Sequence, residues 1–236
     1  MQQLLTKGIG HTKFKHTEIG EIPETWEVYC LGDLAEKVQD GNYGADYPKS
    51  DEFIDEGIPF LTSTTIGNQN QIDYNKIKYI SKEKHMQLKK AHIKTNDIIF
   101  TNRGANVGYV AIVSKQLDDA NIGPQLTLIR PKSSKLHFRY LYYFMQSTFI
   151  KKELQSKDSG SAMNFFGIAT TKGFKIITPS LDEQQAIGSI LFSFDEKIDV
   201  ETRKLAIFNV IKNGLMHSLL TGKIHVKVDE QEVVTT

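Results

Sequence analysis

The chain has 236 residues, of which 39% are apolar and 24% are charged, and its formal net charge is +1. This composition is typical of an ordinary globular protein, and the single cysteine, Cys30, excludes a disulfide framework and a multi-cysteine zinc site. Because the sequence shows neither an N-terminal apolar signal segment nor a run of about 18 apolar residues, we expect a cytoplasmic protein without a membrane partner.

The small net charge hides a strong segregation of charge along the chain. Residues 76–157 contain 16 Lys and Arg against 5 Asp and Glu, a local charge of +11, whereas the remaining residues carry a net charge of −10. A basic region of this kind favours a polyanion such as nucleic acid as the partner. The alternative interpretation is a solvated, lysine-rich face that binds nothing in particular.

The predicted elements indicate a globular segment at 22–180, preceded by a lead-in segment at 1–21 with little periodicity. In chain order the patterns predict a strand near Trp26 and Val28, a strand at 58–61, a helix at 82–93, a hairpin of residues 98–100 and 109–113, a strand at 126–130, a helix at 139–157 and a strand at 173–180. We therefore predict an α+β fold, with a mixed α/β globule followed by one long coiled-coil-forming helix.

The long helix is predicted from about Asp182, the expected N-cap, to about Thr221, just before the helix-ending Gly222. Its apolar side chains recur at alternating intervals of three and four residues, with one break near Glu201, which is the pattern of a coiled-coil seam. The members of the seam are Ile187, Leu191, Phe194, Ile198, Leu205, Phe208, Ile211, Leu215 and Leu219.

A helix of this length would span about 60 Å, which is more than a globule of this size can cover. We therefore predict that residues 181–224 form a strut for dimerisation or docking, followed by a tail at 225–236. The alternative is a single long core helix.

Motifs for several kinds of chemistry are missing from the sequence. It has no glycine-rich dinucleotide-binding or phosphate-binding pattern after a strand and no Asn-Pro-Pro-aromatic motif of an amino-methyltransferase. The pairs His11/His16 and His85/His92 lack the spacing of a zinc-binding HExxH helix, so we expect no metal site and no catalytic residue. A nuclease that uses carboxylates distant from one another in the sequence remains an alternative.

Polar loops within and around the basic segment supply candidates for DNA contacts. Arginine can read guanine, and Asn or Gln can read adenine, through paired hydrogen bonds, while Lys, Ser and Thr suit phosphates. Arg103 is the strongest candidate, because the adjacent Gly104 lets the backbone approach a ligand closely. The full set of candidate DNA-binding residues is Asn42, Tyr43, Thr62, Ser63, Thr64, Asn68, Asn102, Arg103, Asn106, Gln125, Lys157, Ser161 and Asn164.

Several motifs occur in an order that resembles the specificity subunits of type I restriction–modification systems. The globular part contributes IPETWEV (22–28), GIPFL (57–61), NDIIFTNRGANVG (96–108) and YLYYFMQS (140–147). The end of the chain contributes Pro179, DEQQAI (182–187), Asp195, Ile198 and KNGLMHSLLTGK (212–223). The resemblance covers nearly the whole chain and corresponds to one target-recognition domain and one conserved helical region.

The resemblance implies a subunit without catalysis of its own. Target-recognition domains of this family read half of a DNA site, and the conserved helices hold two such domains apart and dock methyltransferase subunits, which bring S-adenosylmethionine. A restriction subunit completes the nuclease form of the complex. Glu183 and Gln184, which match the Glu-Gln pair of the conserved helix, join the seam residues as candidate partner-binding residues.

The sequence departs from the family pattern, because a typical subunit has two recognition domains and two conserved regions. The chain is therefore either a half-subunit, for which we expect a homodimer with antiparallel helices and a palindromic target, or the second half of a longer protein. Two other functions stay open from the residues alone: a stand-alone DNA-binding endonuclease, and a protein-interaction module without DNA contact.

Overall fold

The computed structural model describes residues 1–67, 69–156 and 165–225. The chain divides into two compact units, one at Met1–Leu191 and a second that begins at Phe192. The α+β class and the long helix near the end of the chain, both predicted from the sequence, are confirmed.

Backbone hydrogen bonds define the first and last residue of each strand and helix. The strands are β1 (Phe14–Thr17), β2 (Gly20–Pro23), β3 (Glu27–Cys30), β4 (Ala35–Asp40), β5 (Phe53–Ile54), β6 (Ile58–Leu61), β7 (Lys78–Ile80), β8 (Ile98–Thr101), β9 (Val110–Ile112), β10 (Asn121–Ile122), β11 (Leu126–Pro131) and β12 (Lys175–Thr178). The helices are α1 (Gln2–Lys7), α2 (Leu31–Leu34), α3 (Lys82–Gln87), α4 (Phe138–Met145), α5 (Thr148–Ser156), α6 (Ile168–Lys172) and α7 (Leu181–Leu220).

The first unit is built around two four-stranded sheets. The strand orders are β10-β6-β7-β5 and β4-β11-β8-β9, and their pairs are antiparallel except for β10 with β6. The predicted hairpin is confirmed as β8 and β9, with Ile98 opposite Ile112. Two further pairs, β1-β2 and β12-β3, complete the strands that are described.

A large apolar core joins the two four-stranded sheets. It contains Leu61 and Ile122 from one sheet and Ile99, Ala111 and Leu128 from the other, and all of these side chains are buried. Short apolar strands with Ile, Val and Leu at inward positions form this core because burial of their side chains is the main favourable contribution to folding. The loops that leave these strands are thereby fixed in position.

The predicted lead-in segment, 1–21, contains α1, β1 and the start of β2, and Leu5 of α1 is fully buried. Glu183 near the start of α7 accepts hydrogen bonds from the Ile9 amide, from His11 and from the Trp26 indole. The segment before residue 22 is therefore packed into the first unit.

Two helices differ from their predicted extents. Helix α3 ends at Gln87, and Ala91 then has a φ of 54°, a left-handed conformation that no helix can continue through. The stretch predicted as one helix at 139–157 is two helices, α4 and α5, with Gln146 and Ser147 between them. Both predictions were wrong because a local apolar pattern continues through a turn that tertiary packing imposes.

The beginning of α7, from Leu181 to Leu191, belongs to the first unit. The hydroxyl of Ser180 accepts the Glu183 amide at 3.3 Å, so Ser180, rather than the predicted Asp182, acts as the N-cap. Gln184 is fully buried, where its side chain bonds to the carbonyls of Pro179 and Lys135. The left-handed Gly222, with a φ of 69°, follows the end of the helix as predicted.

The second unit carries the remainder of α7, and its apolar side chains are exposed. They are Phe194, Ile198, Val200, Leu205, Ile207, Phe208, Val210, Ile211, Leu215, Met216, Leu219 and Leu220. So many exposed large apolar residues on one helix are typical of a surface that binds another protein. Within the described residues, no helix is both long and apolar enough to cross a bilayer.

Candidate nucleic-acid interface

Four loops meet where the strands of the two sheets end, and backbone hydrogen bonds hold the first of them in place. The amide of Gly41 donates to the Leu126 carbonyl at 2.9 Å, and the Asn42 amide donates to the Ile122 carbonyl at 3.0 Å. A side chain at position 41 would place its Cβ 2.0 Å from the Gly123 carbonyl oxygen. Glycine is therefore required for this loop to lie against the loop before β11.

Ser63, in the loop after β6, joins two other loops. Its hydroxyl donates to the Gln125 side-chain carbonyl at 2.5 Å, and its own backbone carbonyl accepts from the Asn106 amide at 3.1 Å. Next to it, the hydroxyls of Thr62 and Thr64 lie 2.9 Å apart. Because Gln125 and Thr64 are exposed, this junction presents amide and hydroxyl groups to solvent.

Asn102 forms the buried base of the same region. Its side-chain amide donates to Asp40, to the Pro124 carbonyl and to the Thr127 hydroxyl at 3.0–3.2 Å. Its backbone amide donates to Gln125 at 2.9 Å. These bonds satisfy the amide of a fully buried side chain and fix the loop that follows β8.

Arg103 follows Asn102 and lies at the surface over an aromatic ring. The guanidinium carbon is 4.1 Å from the centre of the Phe165 ring, and Nε donates to Asn102 Oδ1 at 3.4 Å. Phe165 is 51% exposed. The stacked geometry holds the plane of the guanidinium, and among the described residues no hydrogen-bond acceptor faces its two terminal nitrogens.

Tyr43 adds a further aromatic group near this junction. Its ring is 62% exposed, and Lys90 Nζ lies 4.9 Å from the ring centre. Asn42 bonds to the Lys90 carbonyl at 2.9 Å and so fixes the position of Lys90 relative to Tyr43. An exposed ring beside a cation suits a phosphate, sugar or base ligand.

The chain matches the family described as the type I restriction modification DNA specificity domain over residues 23–207. The chain belongs to this family. It is 31% identical to the type I restriction enzyme MjaVIII specificity subunit of Methanocaldococcus jannaschii, over 96% of this chain and 53% of that protein. It is 33% identical to the putative MjaX specificity subunit of the same organism, over 88% of this chain and 48% of that protein.

The similarity extends to solved structures. A chain from a study of complex assembly and conformational transition of the type I restriction–modification system has a TM-score of 0.64 at 21% identity, with 88% of this chain and 47% of that chain covered. The type I restriction–modification system S subunit from M. genitalium has a TM-score of 0.55 at 19% identity, with 81% and 45% covered. These likenesses show a shared fold, and the chain spans about half the length of the relatives it matches.

The loops of this specificity domain contain most of the candidate DNA-binding residues, but their exposure differs. Tyr43, Thr62, Ser63, Thr64, Arg103 and Gln125 are exposed or partly exposed. Asn42 and Asn102 are buried, and Asn106 donates to the carbonyls of Ser63 and Ile66. These three asparagines therefore bind loop backbone or neighbouring side chains in this structure. Asn68, Lys157, Ser161 and Asn164 lie outside the described residues.

Two residues of this region were not among the candidates. Phe165 supports Arg103, and Lys90 faces Tyr43. The sequence does mark Phe165, because two aromatic residues stand together at 165–166 after a mainly polar stretch. Such a pair indicates packing or contact with a ligand. Lys90 carries no local signal, because its neighbour Tyr43 is distant in the sequence.

The candidate partner-binding residues of this specificity domain also fall into two groups. Glu183, Gln184, Ile187 and Leu191 belong to the first unit, and the last three are buried there. The remaining members, Phe194, Ile198, Leu205, Phe208, Leu215 and Leu219, belong to the second unit and are exposed.

Proposed function

We propose that this chain is a DNA-reading and scaffolding subunit without a reaction of its own, and that it binds duplex DNA through the loops around Ser63, Arg103 and Gln125. The observation that carries the proposal is the junction of these loops, where fixed amide, hydroxyl and guanidinium groups face solvent. The family match and the local charge of +11 in residues 76–157 support the same conclusion.

Arg103 is the residue proposed to read a base. Its terminal nitrogens can donate two parallel hydrogen bonds to the O6 and N7 atoms of guanine, while Phe165 holds the guanidinium plane. Gln125 can add an amide contact, and Tyr43 with Lys90 can contact the backbone. Paired hydrogen bonds of this kind contribute about 1–3 kcal/mol of discrimination against a wrong base.

The DNA proposal is tested by selecting binding sites from a pool of randomised duplexes and measuring affinity for the selected duplex. The chain is used with the adenine methyltransferase subunit encoded in the same operon. We expect Arg103→Ala to weaken binding by about 1–3 kcal/mol and to relax the sequence preference at one position. Arg203→Ala, an equally sized change at an exposed helix position, is the control. Equal effects of the two variants, or no DNA binding at any salt concentration, would overturn the proposal.

The partner proposed for the exposed face of α7 is a second copy of the chain, with the two helices antiparallel. The relatives are about twice as long as the aligned region, so each has room for two units of this size. A second copy here would supply an identical helix, and two-fold symmetry can place apolar seam residues of one copy opposite apolar seam residues of the other.

The positions of the seam residues support this pairing. If the two-fold axis passes between Ala206 and Ile207, Leu205 of one copy faces Phe208 of the other. In the same register Ile198 faces Leu215, and Phe194 faces Leu219. Glu201, which lies at the break in the apolar pattern, then faces Lys212 of the other copy, a residue of opposite charge. One register therefore pairs Leu205 with Phe208, Ile198 with Leu215 and Phe194 with Leu219, and it pairs two opposite charges, while Ile211 faces Thr202.

The paired helices are proposed to dock methyltransferase subunits, which would bind S-adenosylmethionine and methylate adenine, and to admit a restriction subunit in the complete complex. The solution mass of the chain, with and without the methyltransferase of the same operon, tests the assembly. We expect two copies of the chain, and two methyltransferases when these are present. One copy with one methyltransferase would contradict the homodimer, and no association would contradict the docking role.

A further inference from the structure

Two histidines and one aspartate meet at a place that the proposed DNA-reading role does not use. His85 lies in α3, His92 follows that helix, and Asp119 precedes β10. The two imidazole rings have their centres 4.4 Å apart, and one ligand atom from each of the three residues lies within 4.8 Å of the others. The fold thus brings together three side chains of types that can bind a metal, from segments that are distant in the sequence.

Hydrogen bonds on the outer side of each ring favour one tautomer of each histidine. His85 Nδ1 lies 2.6 Å from the side-chain carbonyl oxygen of Asn121, and His92 Nε2 contacts the backbone carbonyl of Leu88. Carbonyl oxygens accept hydrogen bonds and cannot donate them, so these two ring nitrogens must be the donors. In a neutral imidazole the other nitrogen then carries a lone pair.

Both of these lone pairs face the same carboxylate. His85 Nε2 is 3.3 Å from Asp119 Oδ2, and His92 Nδ1 is 3.1 Å from Asp119 Oδ1. Lone pairs directed at a carboxylate repel it unless a cation lies between them. A proton on each ring would instead place two like charges 4.4 Å apart against one carboxylate. A divalent cation satisfies both nitrogens and the carboxylate at once.

We propose that His85, His92 and Asp119 bind a divalent transition-metal ion of the zinc class. Bonds of about 2.0–2.1 Å in tetrahedral geometry place neighbouring ligand atoms about 3.3–3.4 Å apart. Each histidine nitrogen lies 3.1–3.3 Å from one of the two carboxylate oxygens, and one ligand atom from each of the three residues lies within 4.8 Å of the others, so a small movement of the side chains would complete the set. Two imidazoles with one carboxylate are a donor set that suits zinc and its neighbours rather than magnesium or calcium. The carbonyl partners of the rings have the role that outer hydrogen bonds have in known metal sites.

The metal would join two segments that support the DNA-reading loops. His92 belongs to the segment that carries Lys90, and Asp119 belongs to the segment that leads to Ile122. The Lys90 and Ile122 carbonyls both accept hydrogen bonds from Asn42. The side chain of Asp119 is 67% exposed, so the remaining coordination position is open to water. This site depends on the geometry alone and stands even if the chain does not bind DNA.

The test is a titration of the full chain, first freed of metal by a chelator, with zinc chloride. We expect one equivalent to bind with a dissociation constant below about 10 µM and to raise the thermal unfolding midpoint. Cobalt(II) at the same site should give the absorption bands of a tetrahedral complex. His92→Ala and Asp119→Asn should each weaken zinc binding by at least about 10-fold, and the asparagine variant keeps a residue that tolerates the left-handed φ of 62° at this position.

His16→Ala is the control, because it removes an exposed histidine from β1. The proposal is overturned if the wild-type chain binds no zinc in this range, or if His92→Ala and Asp119→Asn bind zinc as the wild type does. It is also overturned if the variants lower the unfolding midpoint equally with and without zinc, because the cluster would then be a hydrogen-bonded contact only. Circular dichroism spectra of the variants establish that each is folded.

Discussion

At the scale of single residues, Glu183 connects three separate parts of the chain. Its Oε1 accepts from the Ile9 amide at 3.0 Å and from His11 Nε2 at 2.8 Å, and its Oε2 accepts from Trp26 Nε1 at 2.9 Å. Its place in the Glu-Gln motif predicts a role in partner binding. The structure gives it three donors within its own chain, which is a sufficient reason for an acidic side chain at this position.

Removal of the Glu183 carboxylate should destabilise the first unit. Glu183→Ala leaves the largely buried indole N–H and the Ile9 amide without their acceptor, and we expect a loss of about 2–4 kcal/mol in the free energy of unfolding. Urea denaturation measures this loss. Glu196→Ala, at an exposed position of the same helix, should change the stability by less than about 0.5 kcal/mol. Equal stability of the two variants would show that the three bonds contribute nothing net.

His137 should make stability depend on pH. Burial lowers the pKa of His137, with a smaller contribution from the positive charge of Arg139, and its Nδ1 is buried without a partner among the described residues. Below the ordinary value of about 6.5, the unfolded chain therefore binds more protons at this residue than the folded chain does. Above a pH of about 6.5, His137 has no effect on stability. As the pH falls below that value, protonation of His137 in the unfolded chain increasingly destabilises the fold.

His137→Gln should remove this dependence, because glutamine does not titrate. Urea midpoints at about pH 5.5 and about pH 7.5 give the change for each protein. We expect the wild type to lose more stability on acidification than the variant does, and His16→Gln, an exposed replacement, to behave as the wild type. A variant with the same pH response as the wild type would exclude His137 as the source.

The sequence predicted residue types at the site better than residue roles. Ser63, Arg103 and Gln125 were correctly recognised as polar loop residues, and the structure brings all three together. Asn42 and Asn102 have the same local sequence character, yet their amides bond to Lys90 and Asp40, residues far away in the chain. An asparagine in a loop gives no local signal of whether its amide faces solvent or a distant carbonyl.

At the scale of elements, periodicity predicted the long, regular segments and missed the short turns. Helix α7 and the hairpin β8-β9 were predicted to within one residue at each end, because each has a regular apolar pattern that the single break near Glu201 does not obscure. Helix α3 is shorter than predicted because the Ala91 amide bonds to the Gln39 side chain of the neighbouring β4. That bond depends on tertiary structure, so the sequence of the segment itself does not contain it.

The pairing proposed for α7 predicts the behaviour of charge variants. Glu201→Lys places like charges opposite Lys212 of the other copy, and two such contacts occur in each symmetric dimer. We expect this change to weaken dimerisation by about 10-fold, and the double change Glu201→Lys with Lys212→Glu to restore it, because opposite charges then face each other again. Equilibrium sedimentation measures the dissociation constants.

One control variant and one stability measurement separate this pairing from other effects of charge. Val210→Asp introduces a charge on the side of the helix away from the seam and should leave the dimer intact. Glu201 also forms an exposed contact with Lys204 at 2.9 Å, which contributes little, so its loss should not change stability measurably. If the double variant remains as weak as the single one, the antiparallel register is wrong.

At the scale of the whole molecule, a two-fold axis through the helices would relate two identical DNA-reading loops. Each copy would then read the same half-site in opposite directions, and the target would be a palindrome interrupted by a spacer that the protein does not read. The loops that carry Arg103 are far from the seam residues in the sequence, so the identity of the half-site and the symmetry of the site are set by different parts of the chain.

Sites selected from a randomised duplex pool should therefore be inverted repeats, with the same spacer length in every selected sequence. Arg103→Ala should relax the same position in both halves, because both copies carry the change. Binding should also weaken steeply as salt rises, since phosphate contacts release counterions. A selected site with two unrelated halves would mean that a different recognition domain completes the complex, and a single half-site would mean that the chain binds DNA as a monomer.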